Sequence, residues 1–115
     1  MTRRDEGVFL VDMLTHAREA VDLMEEMGTE DLKSYRVTEL ALRKLVEVVG
    51  EAANRVSPET RQLYPEIEWS QIIGARNRLV HGYDDIDLNV LQDIAENHLP
   101  PLIEQLASIV GDGPS

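Results

Sequence analysis

Five side chains that could handle a phosphodiester lie within eight consecutive residues of the second half of the chain. They are Arg76, Asn77, Arg78, His81 and Tyr83. Arginine presents a planar fork of donors that matches phosphate oxygens, and histidine changes its protonation state near neutral pH. A helix end with only a structural role would rarely need this combination. The residue types and their spacing therefore indicate phosphodiester chemistry that requires no metal ion.

The spacing within this stretch predicts how the groups are shared between helix faces. Asn77 and His81 are four residues apart, so they share one face and the amide can orient the imidazole. Arg76 is five residues before His81, about 140° around an ideal helix. The arginine must therefore curl over the helix or act in the site of another copy of the chain.

Cleavage of RNA through its own 2′-hydroxyl sets a requirement that one chain does not meet. The reaction needs a base for the hydroxyl, an acid for the leaving oxygen and positive charge on the phosphate. One chain offers one histidine in this stretch. A two-fold dimer with the helix ends facing each other would supply two histidines and up to four arginines, so we expect a homodimer.

Size and composition limit the class of protein. A chain of 115 residues suffices for one domain that buries about two-thirds of its unfolded surface. It contains no cysteine, which excludes disulfides and thiolate metal sites. It has no apolar run near the ~18 residues of a membrane span and no apolar region typical of a signal peptide. We therefore expect a cytoplasmic protein without membrane contact.

The charge is distributed unevenly along the chain. The net charge of −11 argues against a broad nucleic-acid-binding face and gives no reason to expect DNA binding. Residues 36–83, however, carry seven basic and six acidic groups, whereas the segments before and after them are strongly acidic. The candidate site lies at the end of the only segment that is not acidic. A small, local RNA site remains compatible with this distribution.

Apolar spacing predicts helices that would position the site. One helix is expected from about Asp5 to Met27, with Gly28 as its left-handed stop, and a second roughly from Leu32 to Val56. In the second, the small residues of Gly50-Glu51-Ala52-Ala53 would let another helix approach closely. Ser57 and Pro58 indicate the cap and first turn of a short helix that ends before Pro65.

The remaining elements complete an all-helical prediction. A further helix containing Ile72 and Ile73 would follow a possible cap at Ser70 and end at His81, because Gly82 supplies a left-handed position. Asp87 can cap the last helix, in which Pro100-Pro101 should cause a kink. The expected fold is an up-and-down bundle of four to five helices with a kinked C-terminal helix, formed by residues 1–110 with a flexible tail at 111–115.

The longer pattern around these residues resembles a known family. Arg76-Asn77, four residues to His81 and Tyr83 two beyond are similar to the Arg-X4-His-X-Tyr signature of the HEPN (higher eukaryotes and prokaryotes nucleotide-binding) superfamily, and more narrowly of the HepT toxins. The similarity extends to residues 50–53, to residues 65–69 and to Leu99-Pro100 with Leu102.

The resemblance implies a specific biology. It implies a dimeric, metal-independent endoribonuclease toxin of a type VII toxin-antitoxin module, without a cofactor and partnered by a MntA-type minimal nucleotidyltransferase antitoxin. Arg76 and His81 match the catalytic positions, Asn77 matches the auxiliary polar residue that follows the arginine, and Tyr83 matches the tyrosine that receives AMP. Arg78 is an auxiliary candidate from its residue type, as a second phosphate contact. AMPylation beside His81 would occupy the arginines and repel RNA phosphates.

Other interpretations of the same residues stay open. Arg76 and Arg78 could pair with acidic residues of neighbouring helices such as Glu51, Glu66 or Glu68. The whole bundle could also be a non-catalytic module that binds a nucleotide or the nucleotidyltransferase. His16 and His98 lack local partners of the kind that His81 has, so both are expected to face solvent or to be structural, and neither is given a role. Trp69 is expected to anchor the core, and Tyr35 and Tyr64 to pack. Asp84, Asp85 and Asp87 fit a turn and a cap better than a metal site.

Overall fold

The computed structural model describes residues 3–28, 35–81 and 88–111. Within those residues the chain forms helices and no strand, as the apolar spacing predicted. The helices are α1 (Arg3–Met27), α2 (Arg36–Arg55), α3 (Pro58–Leu63), α4 (Trp69–His81), α5 (Leu88–Asp93), a π-helical turn (Ile94–His98) and α6 (Leu99–Val110). The all-α prediction is therefore confirmed.

The core lies where α1 packs against both α2 and α6, and α4 packs against α2. The side chains that this packing buries most completely are Met13, Leu42, Leu91, Leu106, Val49 and Val56. They come from α1, α2, α5 and α6 and from the residue that follows α2. Because α4 rests on α2, the position of the candidate site depends mainly on this one helix contact.

Local signals set several of the helix ends. Gly28 adopts a φ of +71° and its N–H bonds to the carbonyls of Met24 and Glu25, so the predicted left-handed stop is confirmed. The Ser57 hydroxyl accepts from the Thr60 N–H at 3.2 Å, which confirms the predicted cap of α3.

Two helix starts differ from the predictions. α2 begins at Arg36 rather than near Leu32, because the backbone of Tyr35 lies outside the helical region at φ −130° and ψ 81°. α4 begins at Trp69, which places Ser70 inside the first turn instead of at the cap. The Trp69 side chain is buried and its Nε1–H donates to the Tyr64 carbonyl at 3.1 Å. With this anchor, α4 begins two residues earlier than a cap at Ser70 would place it.

The C-terminal helix is interrupted just before its proline pair. The N–H of Leu99 bonds to the carbonyl of Ile94, five residues earlier, which defines the π-helical turn. Pro100 and Pro101 have no N–H to continue the regular ladder, and a π turn is one of the structures that relieve such a site. The predicted kink is confirmed, and it consists of a full π turn.

Long-range hydrogen bonds fix the other end of the bundle. The buried carboxylate of Glu6 accepts from the Ser57 N–H at 2.6 Å and from the Ser57 hydroxyl at 3.1 Å. Arg61 donates to the carbonyls at the end of α2, including that of Val56 at 2.9 Å. The bonds from Ser57 to Glu6 hold the α2–α3 junction against α1. None of the described helices has the length and apolar character needed to cross a bilayer.

Candidate active site on the fourth helix

The residues of the predicted site occupy the last two turns of α4. Arg76, Asn77, Arg78 and His81 all belong to one continuous helix that ends at His81. Gly82 and Tyr83, together with Asp84, Asp85 and Asp87, lie outside the described residues. The expectations for the glycine stop, the AMP-accepting tyrosine and the Asp87 cap therefore stay predictions.

Arg76 is held in an ion pair with α2. Its Nη2 donates to Glu51 Oε1 at 2.7 Å, and its Nη1 donates to Asn77 Oδ1 at 3.1 Å. The structure thus shows the contact with Glu51 that was one of the open alternatives. The pair is not sealed from solvent, because the Arg76 side chain is 22% exposed and that of Glu51 is 42% exposed. A partly exposed pair of this kind contributes at most about 1 kcal/mol to stability.

A glycine makes the approach of α4 possible. A Cβ at Gly50 would overlap with Arg76 Cβ and lie 2.9 Å from Arg76 Cγ and 3.0 Å from the Ile72 carbonyl. Ala53, one turn along from Gly50 on α2, is fully buried. The prediction that the small residues at 50–53 admit a second helix is confirmed, and the second helix is the one that carries the candidate site.

Asn77 and Arg78 differ in how they are held. Both side chains are exposed. The Asn77 amide oxygen is engaged by Arg76, and no hydrogen bond joins Asn77 to His81 in the described chain, so the expected orientation of the ring by this amide is not seen. Arg78 pairs with none of the described acidic residues, Glu66 and Glu68 included. Its guanidinium fork is therefore available to a ligand.

His81 is exposed at the final residue of α4. No ion pair or hydrogen bond to another described residue restrains its ring. Arg76 and His81 are five residues apart on a regular helix, and within one chain they point in directions about 140° apart. The structure brings Arg76 together with Asn77 and Glu51, whereas the imidazole of His81 contacts neither of them nor any other described partner.

A groove lies beside α4, and α2 contributes two of its lining residues. It has a volume of about 780 Å³ and lies between α4 and the C-terminal helix. Val46, Val49, Ile72 and Leu102 contribute apolar walls, and Arg78 reaches its rim near the end of α4. The groove therefore begins beside the candidate site.

His98 has partners that the sequence analysis missed. Its Nε2 lies 3.2 Å from Asp93 Oδ2, and its Nδ1 lies 3.6 Å from Glu68 Oε1. A π turn brings residues five apart together, which explains the contact with Asp93. The His98 side chain is 44% exposed, which agrees with the expectation that it faces solvent or is structural. His16, by contrast, donates from Nδ1 to the Asp12 carbonyl at 2.7 Å within α1.

Two aromatic predictions have different outcomes. Trp69 is 8% exposed and anchors the core as expected, and Tyr64 packs against the same cluster. Tyr35 is 41% exposed, so the expectation that it packs is wrong. No group of three or more potential metal-ligating side chains occurs among the described residues.

Comparison with known proteins connects this geometry to a family. The family described as "Ribonuclease HepT-like" matches residues 13–109. A protein named "Probable ribonuclease HepT" from Thermococcus cleftensis is 30% identical over 79% of this chain and 86% of its own length. Two Methanocaldococcus jannaschii proteins, "Putative RNase MJ0125" and "Putative RNase MJ0127", are 26% and 27% identical over 97% of this chain and over 97% and 93% of their own lengths.

No solved structure is significantly similar to the chain. The family match covers α2 and α4 completely, and it therefore includes both Glu51 and the stretch from Arg76 to His81. The chain belongs to the HepT-like ribonuclease family.

Proposed function

We propose that this protein is an endoribonuclease in which Arg76 and His81 are the catalytic residues. The observation that carries the proposal is the end of α4, where an arginine held by Glu51 and Asn77 is followed five residues later by an exposed, unrestrained histidine. Family membership supports the reaction class, and the residue types support the chemistry at this place.

The reaction is an intramolecular transesterification. A base removes the proton from the 2′-hydroxyl, the 2′-oxygen bonds to phosphorus, and the bond from phosphorus to the 5′-oxygen breaks as an acid protonates that oxygen. The products are a 2′,3′-cyclic phosphate and a 5′-hydroxyl. His81 transfers the protons and the Arg76 fork stabilises the charge on the phosphate. Arg78 adds a second phosphate contact, and Asn77 holds Arg76.

The proposed active form is a homodimer. Base and acid are both required, and each chain supplies one histidine at the end of α4. Facing helix ends in a two-fold dimer would put two imidazoles and the paired arginines in one cleft. Sedimentation velocity at micromolar concentration is expected to show a dimer, and a monomer at that concentration would contradict the shared site.

Regulation is proposed to occur at Tyr83. The protein would act as the toxin of a type VII module, and a minimal nucleotidyltransferase would silence it by transferring AMP to the tyrosine. The added phosphates would compete with RNA for Arg76 and Arg78. Incubation with the partner and ATP is expected to raise the mass of the wild-type chain by AMP units and to leave a Tyr83→Phe chain unchanged.

RNA digestion tests the function directly. Purified protein incubated with total RNA in EDTA is expected to give fragments that end in 2′,3′-cyclic phosphate. RNA that stays intact with and without the partner and ATP would instead support the second candidate, a non-catalytic module that binds a nucleotide or the nucleotidyltransferase. The net charge of −11 is the observation that favours this alternative.

A further inference from the structure

Glu51 is the described acidic residue that contacts the proposed catalytic arginine. Its Oε1 lies 2.7 Å from Arg76 Nη2, a short charge-assisted contact between residues that are 25 positions apart in the sequence. No other ion pair of Arg76 occurs among the described residues. The arginine therefore depends on α2 for its counter-charge.

The backbone of α2 brings the arginine to this carboxylate. Because Gly50 has no side chain, Arg76 Cβ and Cγ lie directly over it. The guanidinium then reaches Glu51, the next residue of α2. The pair is therefore a consequence of how closely the two helices pack, and a larger residue at position 50 would move the arginine away.

The carboxylate is itself held from the other side. Arg55, one turn further along α2, approaches Glu51 Oε2 at 3.4 Å. Each oxygen of Glu51 thus faces a different arginine, and Asn77 accepts from the second terminal nitrogen of Arg76. The Arg76 Nε is buried and has no hydrogen-bond partner among the described residues, so the contacts that orient the guanidinium there are those of its two terminal nitrogens.

We propose that Glu51 is a positioning residue, which orients the Arg76 fork before RNA binds. The inference rests on the proposed ribonuclease function. Without Glu51, the long arginine side chain would sample several rotamers, and ordering it would have to occur during the reaction. The carboxylate also repels an RNA phosphate. Its loss is therefore expected to lower kcat without raising KM.

Substitutions at position 51 test this split. In Glu51→Ala we expect kcat to fall roughly tenfold, which corresponds to about 1.4 kcal/mol of activation free energy, with KM unchanged or lower. Glu51→Gln retains an oxygen that accepts the Arg76 hydrogen bond, so its kcat should lie between those of wild type and Glu51→Ala.

Glu47 offers a matched control on the same helix. It lies one turn before Glu51 and pairs with Lys44 at 3.8 Å instead of with an arginine of the site. Glu47→Ala removes the same charge from α2 and is expected to leave both kcat and KM close to wild type. A loss of kcat equal to that of Glu51→Ala would show a general charge effect and would overturn the assignment.

A readout independent of catalysis separates this inference from the proposed function. In ¹⁵N NMR spectra, the terminal nitrogens of Arg76 should give separate signals in the wild type and averaged signals in Glu51→Ala. If the wild type cleaves no RNA, the proposed function fails, and the spectra still report whether Glu51 orients Arg76. Unchanged Arg76 signals in Glu51→Ala, or a kcat that is unchanged or raised, would overturn the positioning role.

Discussion

The two sides of α4 are built in opposite ways. Towards α2, the helix packs so closely that Gly50 has no room for a methyl group, and Arg76 is paired with Glu51. Towards the C-terminal helix, α4 borders a groove of about 780 Å³, and Arg78 reaches its rim without an acidic partner among the described residues. One helix thus carries one restrained and one unrestrained arginine, two positions apart.

The difference indicates a division of labour between the arginines. A restrained fork suits a group that must meet a phosphate in one geometry, because little ordering is left for the reaction itself. An exposed arginine without a partner suits electrostatic attraction of a phosphate, which tolerates many geometries. The sequence alone gives both residues the same chemical identity, and only the packing of α4 separates them.

Alanine substitutions at the two arginines should give very different effects on the chemical step. Arg76→Ala is expected to lower kcat by about 10²–10³-fold, the cost of losing one donor aimed at a transition-state charge. Arg78→Ala should leave kcat near wild type. Single-turnover cleavage of a short RNA measures both. Equal losses of kcat in the two variants would remove the distinction between the two sides.

Alanine substitutions at two glycines test the packing of the same two sides. Gly50→Ala must push α4 away from α2, and this overpacking is expected to lower the free energy of unfolding by about 1–3 kcal/mol. The preference of a helix for alanine over glycine offsets ~0.5–1 kcal/mol of that loss. In Gly74→Ala the added methyl group would have no atom within 4 Å, so the substitution should raise the free energy of unfolding by about 0.5–1 kcal/mol. Urea unfolding monitored by circular dichroism gives both values. Stabilisation by Gly50→Ala would contradict the close contact.

The salt dependence of RNA binding tests whether Arg78 contacts a phosphate. If Arg78 makes one phosphate contact, Arg78→Ala should weaken binding equally for different sequences and reduce the slope of log K against log salt by about 1. Fluorescence anisotropy with a labelled RNA, measured on a His81→Ala background to prevent cleavage, provides the slope. An unchanged slope would show that the exposed arginine does not contact the RNA.

The smallest effect is expected on the far wall of the groove. His98 and its two carboxylate partners are each about half exposed, and exposed ion pairs contribute between about 0 and 1 kcal/mol. His98→Ala should therefore lower the free energy of unfolding by less than about 1 kcal/mol. A larger loss in urea unfolding would mean that this contact holds the C-terminal helix to α4.

Local sequence signals predicted much of the fold. Gly28, Ser57 and the small residues at 50–53 each act through their nearest neighbours or through their own size, so their effects can be read without knowledge of the tertiary structure. The proline pair likewise indicated the kink, although the sequence did not show that it takes the form of a π turn. The fold class followed because apolar stripes with helical spacing leave few other arrangements.

The contacts of the site were harder to predict. Glu51 was one of three acidic residues that could pair with Arg76, and only the register between α2 and α4 selects it. The partners of His98 depend on a π turn and on the start of α4, neither of which has a short-range signature. Whether Tyr35 is exposed or packed likewise depends on whether another helix lies over it. Each of these features depends on how the helices are positioned relative to one another, which cannot be inferred from a single sequence by local patterns.

RNA cleavage by His81→Ala tests whether the end of α4 is the catalytic site. With His98→Ala as the matched histidine control, wild type and both variants are incubated with the same RNA in EDTA. We expect His81→Ala to lose about 10²–10⁴-fold in rate, the usual contribution of a group that transfers protons, and His98→Ala to cleave like the wild type. Wild-type cleavage by a folded His81→Ala protein would show that the end of α4 is not where the RNA strand is broken.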